Sequence, residues 1–82
     1  MIPRISRIEP MADFKIRVTF DEGRVVVYDV GADINEIKAF EDLKTLPYLF
    51  KNATLDSSRT CIVWNERIDL PNDTIYEYGQ PV

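Results

Sequence analysis

Along this chain of 82 residues, the clearest pattern is a strict alternation between residues 14 and 20. Phe14, Ile16, Val18 and Phe20 are apolar, with Lys15, Arg17 and Thr19 set between them. A period of two marks a strand with one buried and one wet face. Asp21-Glu22-Gly23 follows as a turn, and residues 24–30 return as the partner strand. The register turns on one carboxylate. A three-residue loop with Gly23 left-handed sets Phe20 across from Arg24 and turns Val26, Tyr28 and Val30 inward. A two-residue loop would turn Val25, Val27 and Asp29 inward and bury an unpaired charge, so the first register is predicted. Ahead of the hairpin, Ile5-Ser6-Arg7-Ile8 lies between Pro3 and Pro10, which predicts an edge strand or an irregular lead-in.

After Gly31 the period changes. Asp33 is placed to cap a helix, and Ile34, Ile37 and Phe40 follow at helical spacing. Phe40, Leu43, Leu46 and Phe50 continue the stripe, which reads as core lining. Pro47 interrupts it, predicting two short helices, or a helix and a turn. Residues 52–56 read as a short strand, Ser57-Ser58-Arg59 as a turn and residues 60–64 as the next strand. Asn65-Glu66 is expected to form a tight hairpin turn into residues 67–70, because Asn tolerates positive φ. Pro71 suits a first helical position, residues 72–78 a short helix ending at Gly79, and Pro81 a stop. No linker, repeat or low-complexity segment divides the chain, so residues 1–82 are read as a single domain. The expected class is α+β, a small antiparallel β-sheet of about five short strands in hairpins. Two or three short helices would pack against it.

Composition narrows the chemistry. With 45% hydrophobic and 29% charged residues, the chain suits a folded domain. No apolar run approaches the ~18 residues that span a bilayer. The opening Met1-Ile2-Pro3-Arg4 lacks an apolar stretch behind its basic residues and does not read as a secretory signal. One Cys cannot form an internal disulfide, which suits a reducing compartment, and the expected location is cytoplasmic. A net charge of −4 argues against direct nucleic-acid binding. Arg4, Arg7, Lys15 and Arg17 could share a face, but a solvated strand surface explains them better.

The absence of His removes the commonest general base and, with a single Cys, any zinc site of the usual kind within one chain. No phosphate-binding Gly-rich loop is present, and no cofactor is expected. The remaining candidates are carboxylate pairs: Asp21 with Glu22, Glu41 with Asp42, and Asp69 with Asp73. None has calcium-loop spacing, and Asp69 and Asp73 read as charges favoured at a helix start. The chain is therefore expected not to be an enzyme. Trp64, beside a turn, is either a core plug or an exposed aromatic anchor. Tyr76 and Tyr78 cannot both face the core, and Tyr78 is the one expected outside.

Several of these segments together resemble a known family, the bacterial domain of unknown function 2442. The matching pieces are Ile8-Glu9-Pro10, residues 18–23, Tyr28-Asp29-Val30 and Phe40-Glu41-Asp42-Leu43. The specific part is residues 63–76: a Trp, a short turn, an Asp-Leu and a Pro-containing step to a Tyr. Family members commonly carry Trp-Pro-Asn-Gly at the turn, where this chain has Trp64-Asn65-Glu66-Arg67. The resemblance implies a small α+β domain and, from relatives encoded beside a small toxin-like protein, an antitoxin-like partner role. It supplies no catalytic residues.

The expected function is thus a small non-enzymatic protein-binding module, with Trp64, Asn65, Asp69 and Tyr78 as candidate partner-binding residues. Its acidity would speed association with a basic neighbour. Self-association through an edge at residues 5–8 is the other expected partnership. The alternative, implied by relatives that carry a helix-turn-helix DNA-binding domain, is a ligand-sensing domain acting in transcriptional regulation, with a pocket between helices and sheet.

Overall fold

The Phe20–Arg24 closure organises the first half of the chain. In the computed structural model, which describes residues 2–46 and 48–82, β2 (Lys15–Phe20) and β3 (Val25–Asp29) form an antiparallel hairpin. The Phe20 N–H donates to the Arg24 carbonyl and the Gly23 N–H to the Phe20 carbonyl, both at 2.8 Å. Gly23 holds φ +94°, a conformation that strains any residue with a Cβ. The register is the predicted one: Ile16, Val18, Phe20, Val26, Tyr28 and Val30 are all buried. β1 (Ile5–Pro10) pairs with β2 from the outside, with a bulge between Ile5 and Arg7.

β3 runs straight into α1 (Val30–Glu36), and the cap is Asp29 rather than the expected Asp33. Asp29 Oδ1 accepts from the Gly31 N–H at 2.9 Å. Asp33 instead accepts the Tyr28 hydroxyl at 2.6 Å. Burial and that carboxylate hold the Tyr28 hydroxyl well above its ordinary pKa. A 3₁₀ turn (Lys38–Glu41), α2 (Asp42–Thr45) and a second 3₁₀ turn (Phe50–Asn52) follow. Pro47, expected to divide these helical pieces, lies outside the described residues. Phe40, Leu43 and Phe50 enter the core, but Ile37 and Leu46 do not, being 43% and 49% exposed. The breaks between these short helices reset the helical phase, so spacing alone overstates the buried stripe.

A second sheet is formed by β4 (Thr54–Leu55), β5 (Cys61–Asn65) and β6 (Ile68–Pro71), in that order. Asn65 does not take a positive φ at the β5–β6 turn. Its side-chain Oδ1 accepts from the N–H groups of Arg67 and Ile68, at 2.8 and 3.0 Å, so the side chain builds the turn. Pro71 is the N-cap of α3 (Asn72–Tyr78), one place earlier than expected, with φ −75° and ψ 152°. The expected stop at Pro81 is also corrected. Gln80–Pro81 forms β7, which pairs with β3 at the far edge of the first sheet, giving the order β1-β2-β3-β7. An edge is where a strand tolerates proline, since one side of its backbone needs no donor.

The architecture is α+β, with two antiparallel sheets sharing one hydrophobic cluster. Phe20, Ile5, Ile16, Ile62, Ile68 and Ile75 are its largest fully buried side chains. A polar clasp joins the sheets at one end. The Ile5 N–H donates to the Arg59 carbonyl at 2.8 Å, and the Arg59 guanidinium returns a bond to the Ile5 carbonyl at 3.0 Å. The same guanidinium grips both Asp21 oxygens, at 2.7 and 2.9 Å. Arg59 thereby occupies the Ile5 end of the β1 edge. No helix among the described residues is long and apolar enough to cross a membrane.

Candidate functional site

Of the four residues singled out for partner binding, Trp64 takes the buried one of its two expected positions. It is only 7% exposed, and its indole N–H donates to the Phe50 carbonyl at 3.0 Å. Its ring stacks on Phe50 with centroids 5.9 Å apart and lies 6.5 Å from Phe40. Trp64 is the core plug, satisfied at its one polar atom. Asn65 is half-buried, with its side-chain oxygen committed to the turn. Asp69 is exposed on β6, and Tyr78 is 67% exposed on α3, as expected. None of the four lines any of the surface concavities described. Trp64 and Asn65 are neighbours on β5, Asp69 lies on the paired strand β6, and Tyr78 closes α3.

Several of the candidate carboxylates are committed to structural contacts. Asp21 is held by Arg59, whose hydrogen bonds keep its carboxyl below the ordinary 3.8. Glu22 accepts the Tyr76 hydroxyl at 2.6 Å. Tyr76 is fixed further by an edge-on contact with Phe20 and by the Arg24 guanidinium 4.8 Å over its ring. Asp73 accepts from the Thr74 N–H at 2.8 Å in the first turn of α3. Among the described residues, no group of three or more Cys, Asp and Glu side chains is arranged to hold a metal ion. Cys61 is half-buried, and burial pushes its thiol pKa up, the direction of an unreactive thiol.

The exposed apolar side chains concentrate elsewhere. The loop joining β1 to β2, closed by the Met11 N–H donating to the Lys15 carbonyl at 2.8 Å, faces α2 and the segment after it. Between them lies an open groove of about 610 Å³. Met11, Phe14, Leu46 and Tyr48 line it, with Lys44 and Lys51 among the polar side chains. Met11, Leu46 and Tyr48 are 38%, 49% and 77% exposed. The ion pairs among the described residues, Arg17–Glu9 and Arg59–Asp21, involve neither lysine.

Backbone strain collects at this groove. Four non-glycine residues among those described hold positive φ, and three of them, Asp13 (62°), Phe14 (57°) and Tyr48 (73°), line it. An aromatic residue in that conformation costs on the order of 1–2 kcal/mol and persists only where its surroundings impose it. Here the surroundings are aromatic. Phe14 meets Phe50 edge-on at 5.4 Å, and Phe50 stacks on Trp64. Trp64 therefore supports the groove wall from inside the core.

The sequence left this site unread. Phe14 and Leu46 were assigned to the core by their spacing, while Met11 and Tyr48 fell outside every periodic face. The available signal was two large apolar residues directly following prolines, at Pro10-Met11 and Pro47-Tyr48.

Fold and groove together define a small α+β domain with one strained, apolar, lysine-bearing surface. Residues 5–81 match the family described as protein of unknown function (DUF2442), and the chain belongs to that family. Neither a curated protein nor a solved structure matches it.

Proposed function

We propose that this chain is a non-enzymatic protein-binding module whose contact surface is the groove between the β1–β2 loop and the α2 region. The supporting observation is the gathering there of exposed Met11, Leu46 and Tyr48 over the strained Asp13-Phe14 pair. Apolar side chains of this size each contribute roughly 1.5–3 kcal/mol when moved from full exposure to burial. Clustered anchors of that kind characterise the energetic centre of an interface. In the family context the partner would be a small neighbouring protein held in an antitoxin-like complex.

The net charge of −4 would steer a basic partner from a distance. Asp21 and Glu22 are already committed to Arg59 and Tyr76, so Glu41 and Asp42 are the better probes of that steering. A homodimer built on the β1 edge would have to use the stretch beyond Ile5, which Arg59 occupies.

The test is capture from a lysate of the source cells with the wild-type chain and with Leu46→Asp in parallel. Leu46 is a surface residue, so folding should change by no more than about 0.5 kcal/mol. A stoichiometric small protein retained by wild type and lost by the variant is expected. Equal capture by both, or no partner at all, overturns the reading.

A ligand-sensing domain acting in transcriptional regulation is a second reading. It is favoured by the groove volume, about 610 Å³, which falls within the ~300–1,000 Å³ range of small-molecule sites. Its distinguishing outcome is thermal stabilisation by a small metabolite.

A further inference from the structure

The chemistry of the groove indicates what kind of segment it receives. We propose that it takes a short partner segment carrying apolar anchors and carboxylates together, an acidic amphipathic peptide, with Lys44 and Lys51 meeting its charges. This rests on the protein-binding reading and narrows it to a class of occupant.

The molecule as a whole is acidic, with 14 Asp and Glu against 10 Lys and Arg. Within the groove the balance reverses: Lys44 and Lys51 stand against Asp13 alone. Neither lysine is in an ion pair among the described residues, so each can take a partner carboxylate without giving up one of its own. Elsewhere some of the positive charges are already matched. Arg59 is bound to Asp21 and Arg17 reaches Glu9, while a neighbouring concavity sets Lys38, and the other side of Lys44, beside Glu36 and Glu41. The groove combines a local excess of positive charge with several exposed large apolar side chains.

Contact and steering act over different ranges. The field of the net charge acts on approach and is largely screened beyond about 8–10 Å at physiological salt, whereas side chains in contact are sorted by their immediate neighbours. A basic segment laid in this groove would place its cations against two lysines, and like-charge juxtaposition is what interfaces use to reject a partner. A purely apolar segment would leave both lysine heads without a partner at the edge of a dry contact. An acidic amphipathic segment avoids both costs.

The probe is a display library of short random peptides, selected on the intact folded chain. Enriched peptides are expected to pair Leu, Phe, Met or Trp with Asp or Glu. Their affinity should fall by about tenfold or more for Lys44→Glu/Lys51→Glu and for Leu46→Asp. Peptides rich in Lys and Arg should instead be selected by the charge-reversed double variant. Enrichment of basic peptides by wild type overturns the chemistry while leaving the groove as the site. Peptides indifferent to all three substitutions overturn the site while leaving a protein-binding module in place. Failure to enrich any peptide overturns the proposal, and a native partner captured through another surface would still distinguish that failure from loss of the protein-binding reading. Circular dichroism of each variant establishes that it is folded.

Discussion

Gly79 and Asp21 carry the sharpest residue-level consequences of this fold. A Cβ on Gly79 would sit 2.6 Å from the Ile75 carbonyl and 2.7 Å from Val26 Cγ2, where α3 meets β3. Gly79→Ala should therefore cost about 1–3 kcal/mol in urea denaturation, because neither backbone nor a fully buried Val can yield. The carboxylates of Asp21 and Asp56 carry an acid dependence. Arg59 lowers the first, and the Ser58 hydroxyl, followed by the Cys61 and Thr60 N–H groups, lowers the second. A depressed carboxylate stabilises the fold above its ordinary pKa of 3.8 and loses that contribution as pH falls through the folded value. Asp21→Asn should therefore be less stable than wild type at neutral pH, with the gap narrowing below 3.8. A gap independent of pH would mean that the Arg59 clasp is not electrostatic. None of these partnerships was legible in the sequence. Arg59 and Asp21 lie 38 residues apart, and only the meeting of two sheets brings them together.

At the scale of elements, what was legible followed from local periodicity. The register of the β2–β3 hairpin was legible because alternation, Gly23 and the cost of burying Asp29 all favour one pairing, but its ends were not: Phe14 lies in the preceding turn and Val30 opens α1. The second hairpin was placed correctly but for the wrong reason, since Asn65 acts through its side chain and not through its φ. The two causes predict different substitutions. Asn65→Asp keeps an acceptor for Arg67 and Ile68 and should preserve stability. Asn65→Gly frees φ but removes the acceptor, and should lose about 1 kcal/mol in thermal unfolding. β7 could not be read at all. Gln80–Pro81 has no alternating pattern and is a strand only because β3 offers it an open edge. The division into two sheets was hidden for the same reason: strand order is a tertiary property.

For the whole molecule, the central question is why a chain with one small core leaves large apolar side chains outside it. Phe40, Leu43 and Phe50 from the middle segment are buried, whereas Leu46 and Tyr48 from the same segment line a groove beside Met11 and Phe14. The aromatic series Phe14, Phe50, Trp64 ties that surface to the core. The candidates chosen from sequence, Trp64, Asn65, Asp69 and Tyr78, came from the segment with the most distinctive residues. Distinctiveness there reflects building: a satisfied indole, a side-chain turn and a helix entry. The exposed apolar residues were unremarkable in sequence and became visible only once the breaks around them were placed in space.

The most direct test is a backbone amide chemical-shift map of the chain titrated with a bound partner or selected peptide. The groove account predicts that the largest shifts fall on Met11, Phe14, Leu46 and Tyr48, with the Trp64 indole N–H responding through Phe50. Shifts centred instead on the outer face of the first sheet, at Arg7, Arg17 and Val25, with the groove silent, would contradict it.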